Sequence, residues 1–230
     1  MIAPLSSFEI EALTLSLRVA SAALLGVIVP AAALGWVLAR KRFAGKWLVE
    51  AMINLPLVLP PVVVGLVLLT VFGARGPVGR ALEAMFGVTL AFHWTGAAVA
   101  AAVMALPLVV RPLRLAFEAI DPHLEQAAAT LGAPPWQVFV RVSLPLAMPG
   151  LVSGALLGFA RAFGEFGATI TFAGAISGET QTLPVAIYIA LQRAGGEGAA
   201  FRLAILSIVI SVVALFVTEA INRRLLERRR

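Results

Sequence analysis

The chain has no cysteine, one tyrosine, two histidines, and charged residues at only 13% of its 230 positions. Without cysteine there can be no disulfide framework, thiolate metal site or cysteine nucleophile, and the redox compartment stays undetermined. So few charges exclude a water-soluble domain, which carries about 25% charged and about 45–50% apolar residues. Here 60% of residues are hydrophobic and the mean hydropathy is +0.97. Also missing are Gly-x4-Gly-Lys-Ser/Thr, whose backbone amides cradle ATP phosphates, and His-Glu-x-x-His; no carboxylate pair stands at metal-binding spacing. Residues 73–80 form only a glycine-rich turn. An intramembrane hydrolase would need a nucleophile with a base. Ser153, in Gly150-x-x-Ser153-Gly154, is only superficially like a serine-protease turn, and His93 and His123 stand near the ends of apolar runs.

Long hydrophobic runs dominate what is present. A hydrocarbon core of roughly 30 Å takes about 20 apolar residues per helix, so the length accommodates five or six spans and little else. The runs predict an all-α, polytopic membrane protein with five spans at about 12–39, 51–74, 87–110, 149–175 and 203–221. The first contains Pro30, a place for a kink or tilt. A membrane domain over residues 12–222 then lies between a segment 1–11 and a basic tail 223–230, with a long polar loop at 111–146. Segment 1–11 has no basic residue, so the first run reads as retained rather than as a cleaved signal peptide.

The net charge of +6 and pI of 11.2 do not indicate a nucleic-acid binder, because the basic residues cluster at the ends of apolar runs without aromatic stacking platforms. Lipid is the partner they suit. Counting Lys and Arg beside the spans puts twelve on one side, including Arg40-Lys41-Arg42, Arg111, Arg114, Arg141 and the tail. Four, Arg75, Arg80, Arg193 and Arg202, fall on the other. The positive-inside rule then sets the 111–146 loop and the C-terminus in the cytoplasm and the N-terminus outside. Arg18 is placed to snorkel outward. Residues 180–192 are apolar but too short to cross, and read either as a re-entrant or interfacial helix lining a pathway or as an ordinary amphipathic surface helix.

The polar loop contains Glu125-Gln126-Ala127-Ala128-Ala129-Thr130-Leu131-Gly132-Ala133-Pro134-Pro135 and ends in Val142-Ser143-Leu144-Pro145. A short alanine-rich helix stopped at Gly132 and a second one opening at Pro134 or Pro135 follow from these residues. Its small-residue face suits either docking into a groove or packing on its own bundle. The spacing Gln126-Ala127-Ala128-x3-Gly132-x9-Val142-x-Leu144-Pro145 resembles the EAA loop of ABC importer permeases, Glu-Ala-Ala-x3-Gly-x9-Ile-x-Leu-Pro. Every gap is kept; the motif's Glu is Gln126 here, with Glu125 one position earlier, and its Ile is Val142. The resemblance implies the type I importer permease fold and a coupling helix, with Ala127, Ala128, Leu131 and Gly132 contacting a separate ATP-hydrolysing subunit.

In the fourth run, Arg161 lies about 18 Å from Pro149 at 1.5 Å per residue, near mid-bilayer. A charge there costs at least ~2.5–3.5 kcal/mol, so Arg161 and Glu165, four apart on one face, are expected to point into the bundle. Either they form a structural ion pair or they meet substrate. Gly158, Gly164 and Gly167 permit close backbone approach. The stretch Arg161-Ala162-Phe163-Gly164-Glu165-Phe166-Gly167-Ala168-Thr169, followed by Gly178-Glu179-Thr180-Gln181-Thr182-Leu183-Pro184, resembles the molybdate branch of the permease family. So do Leu55-Pro56-Leu57-Val58-Leu59-Pro60-Pro61 and Leu38-Ala39-Arg40-Lys41. Ala175 and Ser177 depart from the usual Asn and Pro.

What this resemblance implies is a non-enzymatic permease subunit in the inner membrane of a prokaryote, moving molybdate and also tungstate by alternating access. Its partners would be a second copy of the chain, two ATP-binding cassette subunits holding ATP and Mg, and an extracytoplasmic oxyanion-binding protein; the chain itself would bind no cofactor. Arg161, Gly164, Glu165, Gly167 and Thr169 are candidates for the pathway or for packing, and Thr180, Gln181, Thr182 and Pro184 for an outer segment. Sulfate or thiosulfate is the alternative substrate, and a passive membrane scaffold the alternative of another class.

Overall fold

The computed structural model describes residues 6–227; residues 1–5 of the N-terminal segment and 228–230 of the basic tail lie outside the described residues, as do the side chains of residues 218, 219 and 222–227. All described regular structure is helical. In order, it comprises α1 (Ser7–Arg40), α2 (Lys46–Val58), α3 (Pro61–Phe72), α4 (Pro77–Phe86), α5 (Trp94–Glu118), α6 (Pro122–Thr130) and α7 (Pro135–Val138). A π-helical turn (Phe139–Ser143) then leads into α8 (Leu144–Leu146), α9 (Met148–Phe163), α10 (Gly167–Phe172), α11 (Leu183–Gln192) and α12 (Glu197–Glu227).

The centre of the bundle is α5, packed between α1 and α9. Alanines make this possible: Ala20, Ala23, Ala97, Ala101, Ala105 and Ala162 are all buried. In lipid there is no hydrophobic drive between helices, so close packing of small residues takes its place. On α9 the ridge Gly150-x3-Gly154-x3-Gly158 lies directly on α5, where a Cβ on Gly154 would come within 2.9 Å of the Val109 carbonyl oxygen.

α1 starts earlier than hydropathy suggests. Ser6 and Glu9 form a reciprocal capping box, with Ser6 N–H donating to Glu9 Oε2 at 2.8 Å. Glu9 is fully buried because Arg202 of α12 donates to its Oε1 at 2.7 Å. The helix continues through Pro30 to Arg40, 34 residues in all, which at 1.5 Å per residue is about 51 Å and exceeds the hydrocarbon core.

Three other runs differ in form from simple spans. The run at 51–74 is two helices, α2 and α3, bent by 114° at Leu59 and Pro60. Pro60 and Pro61 supply no N–H to continue the ladder, and Pro61 opens α3. The third helix runs 94–118 rather than 87–110. Residues 87–93 are held off the helix by Phe92, at φ +60 with its N–H donating to the Phe172 carbonyl at 3.3 Å. At the other end, Arg114 carries the helix past residue 110 by pairing with Glu50 at 2.9 Å and Glu118 at 2.7 Å. The fourth run is interrupted at residues 164–166 between α9 and α10, and α9 itself follows the Pro135–Leu146 helical segment at a 71° bend.

α1, α5 and Glu197–Val217 of α12 are each long and apolar enough to cross a membrane, and counting each bent pair as one span gives five. α12 packs on α9 and α11 and turns a row including Phe201, Ile208, Leu215 and Phe216 outward, as a membrane-facing helix must. The molecule is a multi-pass membrane protein.

Candidate functional site

The polar loop begins where α5 stops. Asp121 Oδ1 accepts from His123 N–H at 2.9 Å, opening α6. The helix closes at Gly132, whose φ of +85 suits a residue without Cβ, and Ala133 N–H returns to the Ala128 carbonyl at 3.1 Å. Glu125 is the inward anchor. Arg40, at the end of α1, meets its Oε2 at 3.0 Å and Ser143 Oγ donates to its Oε1 at 2.6 Å, while Arg40 Nη2 donates to the Ile120 carbonyl at 3.0 Å. Hydrogen bonds to charged groups contribute about 1.5–3 kcal/mol each, so α6 is held to both α1 and the π-helical turn.

Since α6 is fixed by Glu125, the neighbouring motif positions are left outside. Gln126 and Ala127 are exposed, Ala128 is half-buried, and Leu131 is 89% exposed beside the exposed Trp136. Leu144 is half-buried and Pro145 exposed where the loop returns toward α9. Leu131 and Trp136 are thus large apolar side chains exposed on the loop at the basic end of the bundle.

At the break in the fourth run, Glu165 is buried at 2% exposure. Its Oε1 accepts from Ala168 N–H at 2.8 Å in the first turn of α10, and its Oε2 pairs with Arg161 Nη1. Gly164 ends α9 and is exposed. Gly167 lies against Pro61 of α3, and Gly65 of α3 lies against Ala168, so the two helices cross through glycines. Thr169 is buried. These five residues are therefore neighbours, with the two charges engaged by each other.

Thr180, Gln181 and Thr182 are buried in a turn before α11. Thr180 Oγ1 accepts from Ile176 N–H at 2.8 Å, Gln181 Nε2 donates to the Ala175 carbonyl at 3.0 Å, and Leu183 N–H donates to Ser16 Oγ at 2.6 Å. Pro184, half-buried, opens α11. The turn is thus laced to itself and to α1. Beside it, His93 Nε2 lies 3.0 Å from Glu179 Oε1, and Arg18 stacks 3.8 Å above the Trp94 ring. Sequence reasoning passed over Ser16, the Glu9–Arg202 pair and the Gly150–Gly154–Gly158 ridge; the Ser6-x-x-Glu9 spacing and the four-residue glycine repeat were the available signals.

Among the described residues no group of His, Cys, Asp and Glu is arranged to hold a metal ion. Residues 31–227 match the family described as binding-protein-dependent transport system inner membrane component. The chain is 49% identical to the molybdenum transport system permease protein ModB of Haemophilus influenzae, over 94% of this chain and 95% of that one. It is 50% identical to the ModB of Escherichia coli K12, over 96% of each. The sulfate transport system permease protein CysT of Escherichia coli K12 is 39% identical over 83% of this chain and 68% of its own. In fold, the chain is similar to a crystal structure of a bacterial ABC transporter involved in alginate import, with a TM-score of 0.74 at 18% identity, covering 96% of this chain and 80% of that one. The architecture is that of a type I ABC importer permease, and the chain belongs to the binding-protein-dependent inner membrane transport components and, within them, to the molybdenum transport system permease proteins.

Proposed function

We propose that this chain is the membrane subunit of an ATP-driven importer for molybdate, with tungstate, of the same charge and shape, carried as well. The observation that carries this reading is the near full-length identity to molybdenum permeases, which exceeds that to the sulfate permease in both identity and coverage. Five spans from one chain enclose too little for a gated pathway, so the working unit is a two-fold homodimer with two ATP-binding cassette subunits and an extracytoplasmic oxyanion-binding protein. The loop residues Gln126, Ala127, Ala128, Leu131 and Gly132 meet the ATPase, while Glu125 ties them to α1. Closure of the ATPase dimer on ATP moves α6, and the Arg40–Glu125–Ser143 contacts carry that motion into α1 and, through the π-helical turn, into α9. The pathway opens outward to receive the anion, and hydrolysis resets it inward.

Orientation follows the same logic. The loop lies at the Arg40 and Arg114 end of the molecule, opposite the Glu9–Arg202 and His93–Glu179 pairs, which supports a cytoplasmic loop and C-terminus with the N-terminus outside. Arg161 and Glu165 act as the lock that holds the break in the fourth run, and the Thr180–Pro184 turn as part of the outer wall.

The test is Leu131→Asp. It places a charge on an exposed residue that supports nothing inside the permease, so the permease should fold and dimerise as before, while the ATPase no longer co-purifies and ATP hydrolysis stimulated by loaded binding protein falls at least about tenfold, the loss of a central apolar contact. Gly132→Val, which strains a φ of +85, should act in the same direction. Normal co-purification and stimulation in Leu131→Asp would contradict the assignment.

A further inference from the structure

A polar cavity lies at the loop end of the bundle, away from the Arg161–Glu165 break. It measures about 140 Å³ and lies between α2 and α5, lined by Glu50, Asn54, Pro107, Arg111 and Arg114 among apolar neighbours. Its position follows from Leu38, which also lines it, two residues before the Arg40 that holds the loop. Cavities of about 150 Å³ hold a molecule of six heavy atoms, so a five-atom tetrahedral oxyanion fits.

The charges in and around the cavity do not cancel. Arg114 pairs with Glu50 at 2.9 Å and Glu118 at 2.7 Å, and Lys46 lies 4.0 Å from Glu50. These two cations and two carboxylates balance, which leaves Arg111 over. Arg111 is an exposed residue that lines the cavity from its solvent side, and among the described residues no carboxylate lies within ion-pair distance of its guanidinium. Asn54 Nδ2 donates to the Glu50 carbonyl at 2.7 Å, and Asn54 Oδ1 is buried without a partner. An acceptor in that place calls for a donor, which a water shared with a bound anion provides.

We infer that this cavity is a low-affinity site for a tetrahedral oxyanion at the cytoplasmic end of the permease, with Arg111 as its uncompensated cation. The site rests on the importer reading only for the identity of the anion: either permeating molybdate on its way out or the phosphate of an inner-leaflet phospholipid carries the required chemistry. A single excess charge, with Glu50 in the same wall, holds an anion loosely, as release at the end of a pathway demands.

Equilibrium dialysis of labelled molybdate, sulfate and phosphate against the assembled permease–ATPase complex, in discs of zwitterionic phosphatidylcholine, tests this. Arg111→Gln should weaken oxyanion binding about tenfold or more, and Arg111→Lys, which keeps the point charge, should stay within about threefold of wild type. Glu50→Gln should tighten it, a change of opposite sign that misfolding does not produce. If discs containing phosphatidylglycerol suppress the binding and the complex retains that lipid in an Arg111-dependent way, the lipid phosphate is the source; if they do not, the free oxyanion is. Sulfate in place of molybdate with the same dependence on Arg111 would keep the site and overturn the molybdate reading. Binding indifferent to both Arg111→Gln and Glu50→Gln would overturn the site, whatever the uptake activity.

Discussion

Gly154→Ala, on α9, is expected to destabilise the permease by about 2 kcal/mol, while Gly26→Ala, on α1 of the same bundle, should be neutral or stabilising by up to about 1 kcal/mol. The single added carbon meets opposite surroundings at the two positions. At Gly154 it would lie 2.9 Å from the Val109 carbonyl oxygen and 3.3 Å from Val109 Cα, both backbone atoms of α5 that cannot step aside without separating the helices. At Gly26 nothing lies within 4 Å, and alanine only improves helix propensity. Leucine at residue 154 should go further and prevent recovery of folded protein. Thermal unfolding of the purified permease, followed by retention of the monodisperse species after heating, reads both signs in one experiment. Equal tolerance of alanine at the two positions would mean that α9 does not lie on α5 as described.

Removing either partner of the Arg161–Glu165 pair should cost about 3–5 kcal/mol, because each leaves an uncompensated charge in the bundle. Glu165 is at 1% side-chain exposure and Arg161 at 26%, so the carboxylate is the more costly group to strand. Glu165→Ala also removes the acceptor that holds Ala168 N–H at the start of α10. The double variant Arg161→Met with Glu165→Gln should be far milder than either single charge loss, since it leaves no charge behind and glutamine keeps an acceptor for Ala168. If the pair is a lock alone, uptake in the double variant recovers with its stability. If Arg161 meets the anion, stability recovers and uptake does not.

Much of the architecture is legible because hydropathy counts apolar residues, and a membrane span is little else. Hydropathy has no direction, however. The run at 51–74 reads as one span, yet Pro60 and Pro61 turn its two halves through 114°. One Glu among apolar residues barely lowers a window average, so the break at Glu165 stayed hidden although Gly164 and Gly167 flank it. The same blindness set the start of α1 too late, since Glu9 looks like a solvated terminus until Arg202, 193 positions away, neutralises it. In the loop, residue spacing located α6 and its stop at Gly132, because a positive φ and a helix end leave local marks. Which of Glu125 and Gln126 faces inward is not a local matter. It is decided by Arg40, 85 positions earlier, and by Ser143.

The lacing of Thr180, Gln181 and Thr182 into their own turn has the same character. Polar side chains in an apolar context invite a substrate-binding reading, but a buried turn must satisfy its own backbone first, and Thr180, Gln181 and Ser16 do so here, while Thr182 Oγ1 and Gln181 Oε1 are buried without a partner.

Transport of molybdate by this chain is measured most directly as uptake of labelled molybdate at low concentration in cells with and without it, in competition with unlabelled tungstate, sulfate and phosphate. The expected result is uptake that is lost with the chain, blocked by tungstate and indifferent to sulfate. Molybdate uptake that persists without the chain while sulfate uptake disappears would contradict it.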